Sequence, residues 1–360
     1  MGLSPTEEDA SGLEAMGGWR HILGRLTRHE DLTAAEAAAA MGEVLSGNAT
    51  NAQIAGFVIG LRMKGESVEE LTGLVASMLE HAVPVNAPEG VIDTCGTGGD
   101  GSHSINVSTI AAFVVAGTGQ VVCKHGGRAA SSAAGSADVM EALGVAIDLG
   151  PAGAERCLEE AGVAFLFAPR YHPALRHAAP VRSELGVRTT FNFLAPLANP
   201  ARPTRQMVGV SDRTMAEKLV GVLAANGTQR ALVVYGHDGL DELTTTTSST
   251  VVDMQAGEGV RSYDIDPASL GLAPATAVDL RGADPETNAA YARAVLEGRP
   301  GPHRDIVLLN AAAALVAAGA AADLVAGLDL ADRSISGGDA AAALERLIRV
   351  SQAVAAEGMT

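Results

Sequence analysis

Between residues 18 and 85 the apolar positions recur at helical spacing, with Ile54, Phe57, Val58 and Leu61 in one run and Val68, Leu71, Leu74, Val75, Met78 and Leu79 in the next. Steps of three and four predict amphipathic helices that each bury one face. Three helix starts carry a hydroxyl residue three places before a carboxylate or amide: Thr33 with Glu36, Thr50 with Gln53 and Ser67 with Glu70. That spacing lets the hydroxyl and the acid cap each other's backbone N–H. Gly47 and Gly65 stand where C-terminal caps belong. A small helical domain over 18–86 follows, its apolar stripes serving as core or as dimer interface. Residues 1–17, acidic and without this pattern, are expected to be a flexible tail.

Beyond the prolines at 84 and 88 the pattern changes. Short β-branched or apolar runs at 91–94, 121–124, 163–167, 207–210 and 231–235 alternate with helix-length stretches. Such alternation predicts a mainly parallel sheet covered by helices, an α/β domain over 87–360. Runs at 250–254 and 260–264, joined by a glycine-containing turn, predict a hairpin, and helices are expected over 285–296, 304–318 and 339–355. Residues 172–188 and 192–200 are less regular and rich in Pro and Arg. Part of 172–202 is expected to return to the helical domain and line a cleft.

Composition narrows the function. A chain of 360 residues is long enough for two unequal domains, and 47% hydrophobic content with 3% aromatic makes a core of Ala, Val, Leu and Ile. A net charge of −17 counts against a general nucleic-acid binder, which needs a basic face. It leaves room for a local cationic site for a small anion. Three cysteines without metal-ligand spacing point to a reduced, cytoplasmic protein. No apolar run reaches the ~20 residues that span a bilayer, and the N-terminus lacks the basic and apolar segments of a signal peptide.

Candidate chemistry concentrates in four places. At 93–101 a strand-like run passes into DTCGTGGDG, followed by Asn106-Val107-Ser108-Thr109 at a helix start. Glycines allow positive φ and close approach of N–H groups to an anion, and a helix N-terminus adds donors. Neither GxxxxGK[ST] nor GxGxxG is present, so the ligand is neither a simple NTP nor NAD. Lys124 to Ser132, with Ser136, places two cations, a Gly-Gly turn and hydroxyls at a strand's C-terminal end, a set suited to a pyrophosphate or sugar phosphate. The acidic run 238–242 after a strand suits Mg²⁺, a hard cation that takes oxygen ligands. Arg182, with Arg170, Arg176 and Arg188 as alternatives, offers a two-pronged grip on a carboxylate. No covalent nucleophile stands out.

In this order and spacing the motifs resemble the anthranilate phosphoribosyltransferases: GTGGDG at 96–101, NVST at 106–109, KHGGRAASS at 124–132, GSADVMEALG at 135–144, HPALRHAAPVRSELGVRT at 172–189, PLANP at 196–200, DGLDE at 238–242 and LLNAAAAL at 308–315. The similarity runs from about residue 18 to the C-terminus. The resemblance implies the nucleoside phosphorylase/phosphoribosyltransferase-like fold, a small helical domain hinged to a large α/β domain with the site between them, usually as a homodimer. It implies transfer of a phosphoribosyl group from 5-phosphoribosyl 1-pyrophosphate (PRPP) to the amine of anthranilate, with Mg²⁺, in tryptophan biosynthesis. By that correspondence Gly96, Gly99, Asp100, Ser104, Asn106, Val107, Ser108, Thr109, Lys124, His125, Gly126, Gly127, Arg128, Ala129, Ala130, Ser131, Ser132 and Ser136 hold PRPP. Gly96, Gly127 and Arg182 meet anthranilate, and Ser108, Asp241 and Glu242 bind the metal.

Two positions depart from the family pattern: Gly127 stands where Asn is usual, and Ala195 where Gly is usual in LGPL. The first raises the alternative of a relative acting on a substituted anthranilate in a specialised pathway. A pyrimidine nucleoside phosphorylase is disfavoured by the Asp241–Glu242 pair, and a non-catalytic nucleic-acid-binding relative by the net charge of −17.

Overall fold

The computed structural model describes residues 12–129 and 133–358. They fall into two compact units, one running to Ala82 and taking in His172–Leu194, the other comprising Val83–Tyr171 and the chain from Ala195 onward.

The first unit is built on four helices, α1 (Gly18–Thr27), α2 (Ala34–Leu45), α3 (Asn51–Lys64) and α4 (Val68–Glu80). All three capping boxes form with both arms present. Ile22, Leu26, Met41, Val44, Ile54, Phe57, Leu61, Leu71, Leu74 and Val75 are buried together as the helical period requires. Val68, at the first helical position of α4, is exposed instead, since the helix start turns it outward. Residues 12–17 are not a loose tail: Leu13 is buried, Glu14–Met16 forms a 3-10 turn, and Gly17 in the left-handed region leads into α1. The expected helical boundary at 86 moves to Ala82, because the Val83 N–H is bonded to the Tyr171 carbonyl within the second unit. Only 172–194 of the irregular segment joins the helices; the Thr190 hydroxyl donates to the buried Glu66 carboxylate at 2.7 Å.

Glu36 is the polar knot of this unit. Its carboxylate accepts from Thr33 N at 2.8 Å and from Arg25 Nη1, and lies 2.7 Å from His21 Nε2. Burial works to raise its pKa, yet the Thr33, His21 and Arg25 bonds outweigh it and hold the carboxyl down at about 2. A depressed folded-state pKa gives stability that is present above the ordinary carboxylate value and lost as pH falls toward 2. A shift of this size corresponds to on the order of 3 kcal/mol. Glu36→Gln is therefore expected to destabilise the helical unit at pH 7 and to differ little from the native chain near pH 2. Denaturant unfolding followed by Trp19, which packs edge-on against Phe57 at 5.7 Å, would show a pH-independent gap if Glu36 were not the cause.

The second unit is a seven-stranded sheet of β1 (Ile92–Gly96), β2 (Val122–Gly126), β3 (Val163–Phe167), β4 (Arg205–Gly209), β5 (Arg230–Gly236), β6 (Ser249–Gln255) and β7 (Gly259–Ile265) in the order β3-β2-β1-β4-β5-β6-β7. The first five in that order are parallel and the β6–β7 hairpin is antiparallel. The expected strands are all present. After β1 comes α5 (Val107–Gly117), apolar after Ser108 and Thr109 in its first turn and buried along most of its length. The helix Pro302–Ala317 is likewise buried from Ile306 onward. A helix over Leu324–Ser336 has no counterpart in the sequence reading; its Asp329, Asp332 and Arg333 interrupt the apolar period. Among the described residues no helix is long and apolar enough to cross a membrane.

Candidate active site

Strand order decides where the motifs meet. β1 leads through a helix to β2 on one side, whereas β4 lies on the other, so successive connections diverge between β1 and β4. In an open α/β sheet that reversal opens a crevice at the C-terminal strand ends. Gly96 ends β1, Gly209 ends β4, and the DGLDE run follows β5. A Cβ on Gly209 would lie 1.6 Å from the Asp241 carbonyl oxygen, and one on Gly96 2.4 Å from Asp241 Oδ2. Gly209 is therefore required by the close passage of the residue 241 backbone, and a side chain at Gly96 would displace the Asp241 carboxylate.

The glycine loop runs over this floor with Gly98, Gly99 and Gly101 all at positive φ (65°, 70° and 71°). Gly98 N donates to Asp241 Oδ2 at 2.7 Å, and Ser102 N to Asp100 Oδ1. At the start of α5, Ser108 N donates to Glu242 Oε1 at 3.0 Å. Val107 and Thr109 are buried, which leaves their backbone rather than their side chains for a ligand. Ser104 pairs through its backbone with Arg281. The three acids of DGLDE separate by role: Asp238 accepts from Thr244 and Thr246 hydroxyls and shapes the turn, whereas Asp241 and Glu242 reach the glycine loop and the α5 N-terminus.

Burial, with the adjacent Asp241 carboxylate adding to it, pushes the Glu242 carboxyl up to about 8. Lys124 is the local counter-charge, itself buried, with Nζ donating to the Thr94 carbonyl at 2.5 Å and to Ser108 Oγ at 3.2 Å. The lysine is thus built into the floor beneath Ser108. His125 donates its N–H to Asp93 Oδ1, and its Nδ1 lies 3.2 Å from the Ala195 carbonyl.

The second loop is folded by Asp138, an acid within the GSADVMEALG motif. Asp138 Oδ2 accepts from Ala129 N at 3.0 Å and Gly135 N at 2.9 Å, while Oδ1 accepts from Arg128 Nη1. Arg128 also meets Glu141 and lies over the Phe167 ring. Ser136 Oγ donates to the Gly127 carbonyl, and a Cβ on Gly126 would strike that hydroxyl at 2.2 Å. Ala130, Ser131 and Ser132 lie outside the described residues.

Comparisons with known proteins match this arrangement along the chain. Residues 20–82 match the family model described as the glycosyl transferase family helical bundle domain, and 88–341 that of its a/b domain. The anthranilate phosphoribosyltransferase of Thermobifida fusca (strain YX) is 52% identical over 340 residues, covering 93% of this chain and 97% of that protein. The chain belongs to the anthranilate phosphoribosyltransferase family. Another relative, from Roseiflexus sp. (strain RS-1), is 50% identical over 329 residues, 91% of this chain and 96% of the relative. The crystal structure of the anthranilate phosphoribosyltransferase from Thermus thermophilus superimposes with a TM-score of 0.87 at 40% identity, covering 92% of this chain and 99% of that one. That of Saccharomyces cerevisiae, in complex with PRPP and Mg, gives 0.86 at 26% identity, covering 94% and 99%.

In this anthranilate phosphoribosyltransferase family member, three buried amides support the site. Asn199 Nδ2 donates to Asp93 Oδ2 and to the Cys123 carbonyl, both at 2.9 Å. Asn310 accepts from Leu243 N and donates to Leu243 O, pinning the residue after Glu242. Asn288 Nδ2 donates to Asn106 Oδ1 at 3.0 Å. Asn199 and Asn310 lie within the PLANP and LLNAAAAL motifs, which were the available signal; Asn288 had none. Arg182 belongs to the helical unit, on the helix Ala179–Leu185, with its guanidinium 5.1 Å from the Phe191 ring centre. Burial lowers its pKa, and it forms no carboxylate ion pair among the described residues.

Proposed function

We propose that this chain transfers the phosphoribosyl group of PRPP to the amine of anthranilate, releasing pyrophosphate, in tryptophan biosynthesis. The observation that carries the reading is the convergence of the glycine loop, the α5 N-terminus and the Asp241–Glu242 pair at the β1/β4 crevice. The PRPP and Mg complex of the yeast relative supports it.

The residues fit Mg²⁺. Asp241, Glu242 and Ser108 present hard oxygen donors, and Glu242 is a buried acid whose charge an added cation would favour. Mg²⁺ is commonly held by one or two carboxylates together with substrate phosphates, which is the donor set proposed here. When bound, Mg²⁺ offsets the charge on the departing pyrophosphate. The chain's own contribution is placement: residues 96–101 and the α5 N-terminus offer fixed donors for the phosphates, and Arg182 is assigned the carboxylate of anthranilate. An aromatic amine is already nucleophilic, so no strong base is needed at the reacting nitrogen. The three buried, unpaired cysteines fit a reducing cytoplasm, and family resemblance supports a homodimer.

Loss of anthranilate fluorescence on adding PRPP, with and without Mg²⁺, tests the assignment. No turnover of anthranilate or its ring-substituted analogues would refute it.

Gly127 bears on acceptor choice. Among the described residues a Cβ there would meet only Ala168 Cβ, at 4.0 Å, an ordinary contact. Gly127→Asn is expected to lower the KM for anthranilate about three- to tenfold, the scale of one added neutral hydrogen bond. An unchanged KM would show that residue 127 does not set acceptor affinity.

A further inference from the structure

We propose that Asn288 is a positioning residue for PRPP binding, acting through Asn106; the inference rests on the reading of the glycine loop and α5 N-terminus as the PRPP site. Asn288 lies on the helix Pro285–Leu296, 182 residues from Asn106 in sequence, and is buried. Its Oδ1 accepts from Ala283 N at 2.7 Å and its Nδ2 donates to Asn106 Oδ1 at 3.0 Å. Asn106 Nδ2 in turn donates to the Ala134 carbonyl at 3.1 Å.

The polarity of this relay is dictated from both ends. Ala283 N–H can only donate, so it requires the oxygen of Asn288; Asn288 then presents its NH₂ to Asn106. Asn106 must answer with its oxygen and so turns its own NH₂ to Ala134 C=O, which can only accept. Asn106 opens α5, and Ala134 closes the loop that follows β2. One amide therefore ties the two phosphate-binding segments in register.

The stretch 280–283 reinforces the tie. Ile105 N donates to the Leu280 carbonyl at 3.0 Å and Gly282 N to the His103 carbonyl at 2.8 Å, so this stretch runs alongside the arm between Gly101 and α5. Gly282 leaves no room for a side chain, since a Cβ would lie 2.7 Å from Ser104 O and 2.9 Å from Asn288 Oδ1. Asn288 touches none of the positions assigned to anthranilate or metal and adds no charge. Its effect is confined to the geometry of the donor segments.

Asn288→Asp is nearly isosteric and keeps the Ala283 bond, but it faces Asn106 with an acceptor. Asn106 must then flip or lose its partner, and a flip sets its oxygen against Ala134 O. Steady-state kinetics and calorimetric titration of the full chain with PRPP in excess Mg²⁺ are expected to show the KM and Kd for PRPP raised about tenfold, the effect of losing one or two hydrogen bonds. The KM for anthranilate is expected to stay unchanged. Asn288→Ala carries the same expectation and serves if Asn288→Asp does not fold. Joined to Asn106→Ala, the Asn288→Asp change is expected to add nothing, because the relay is already cut. PRPP binding by the native chain that is undiminished in both Asn288 variants, or a double variant whose losses add, would overturn the inference. A native chain that binds no PRPP would overturn the proposed function as well.

Discussion

Glu242→Gln is expected to lower kcat/KM for PRPP about 10²- to 10³-fold, the scale of removing one preorganised electrostatic group. The amide oxygen can still accept from Ser108 N, where Glu242 Oε1 now accepts at 3.0 Å, so the α5 start keeps its anchor. What is lost is one of the two adjacent carboxylates proposed to hold Mg²⁺, and on that proposal raising Mg²⁺ is expected to restore part of the activity. The unfolding midpoint is not expected to fall, because burial and the neighbouring Asp241 carboxylate disfavour the charged form of Glu242, a cost that the neutral amide does not carry. Initial rates over a Mg²⁺ titration, with thermal unfolding in parallel, check both statements. A variant with native kinetics at every Mg²⁺ concentration would remove Glu242 from the site.

Gly209→Ala is the second large effect. The added carbon would sit 1.6 Å from the carbonyl oxygen of Asp241 and 2.5 Å from its carbonyl carbon. Backbone occupies that space, so no rotamer change relieves it. Either the end of β4 or the DGLDE run must move, at a cost of about 3 kcal/mol, and the Gly98–Asp241 contact moves with it. Activity is expected to fall below about a hundredth of the native value even where the chain still folds, since small displacements of positioning groups carry losses of that order. Native activity with an unchanged unfolding curve would contradict the close passage of residue 241.

Much of the fold was legible because its signals are local. The capping boxes need only residues three apart, and each of the three formed. The strands around residues 92, 122, 163, 207 and 231 are short apolar runs between turn residues, which suffices for a buried parallel strand. The helix Leu324–Ser336 escaped because its polar residues blur the period. Of the expected 1–17 tail, residues 1–11 lie outside the described residues, and 12–17 are anchored by a single apolar residue, Leu13. At the candidate site the residue types were readable and their partners were not. Lys124 and Arg128 read alike as cations for phosphate; Lys124 is buried under Ser108, whereas Arg128 is held by Asp138 and Glu141.

By itself the sequence determined most of the elements, the glycine loop with its donors, the acidic pair, and through their order the family. These follow from periodicity, capping and turn chemistry, each carried by neighbouring residues. Only the tertiary structure decided that β1 lies beside β4, that Asp241 passes over Gly96 and Gly209, and that Asn288 sets the amide of Asn106. The Ser108–Glu242 and Asn106–Asn288 pairs are 134 and 182 residues apart. No local pattern records such a pairing; it arises when strand order and core packing bring distant segments to one end of the sheet.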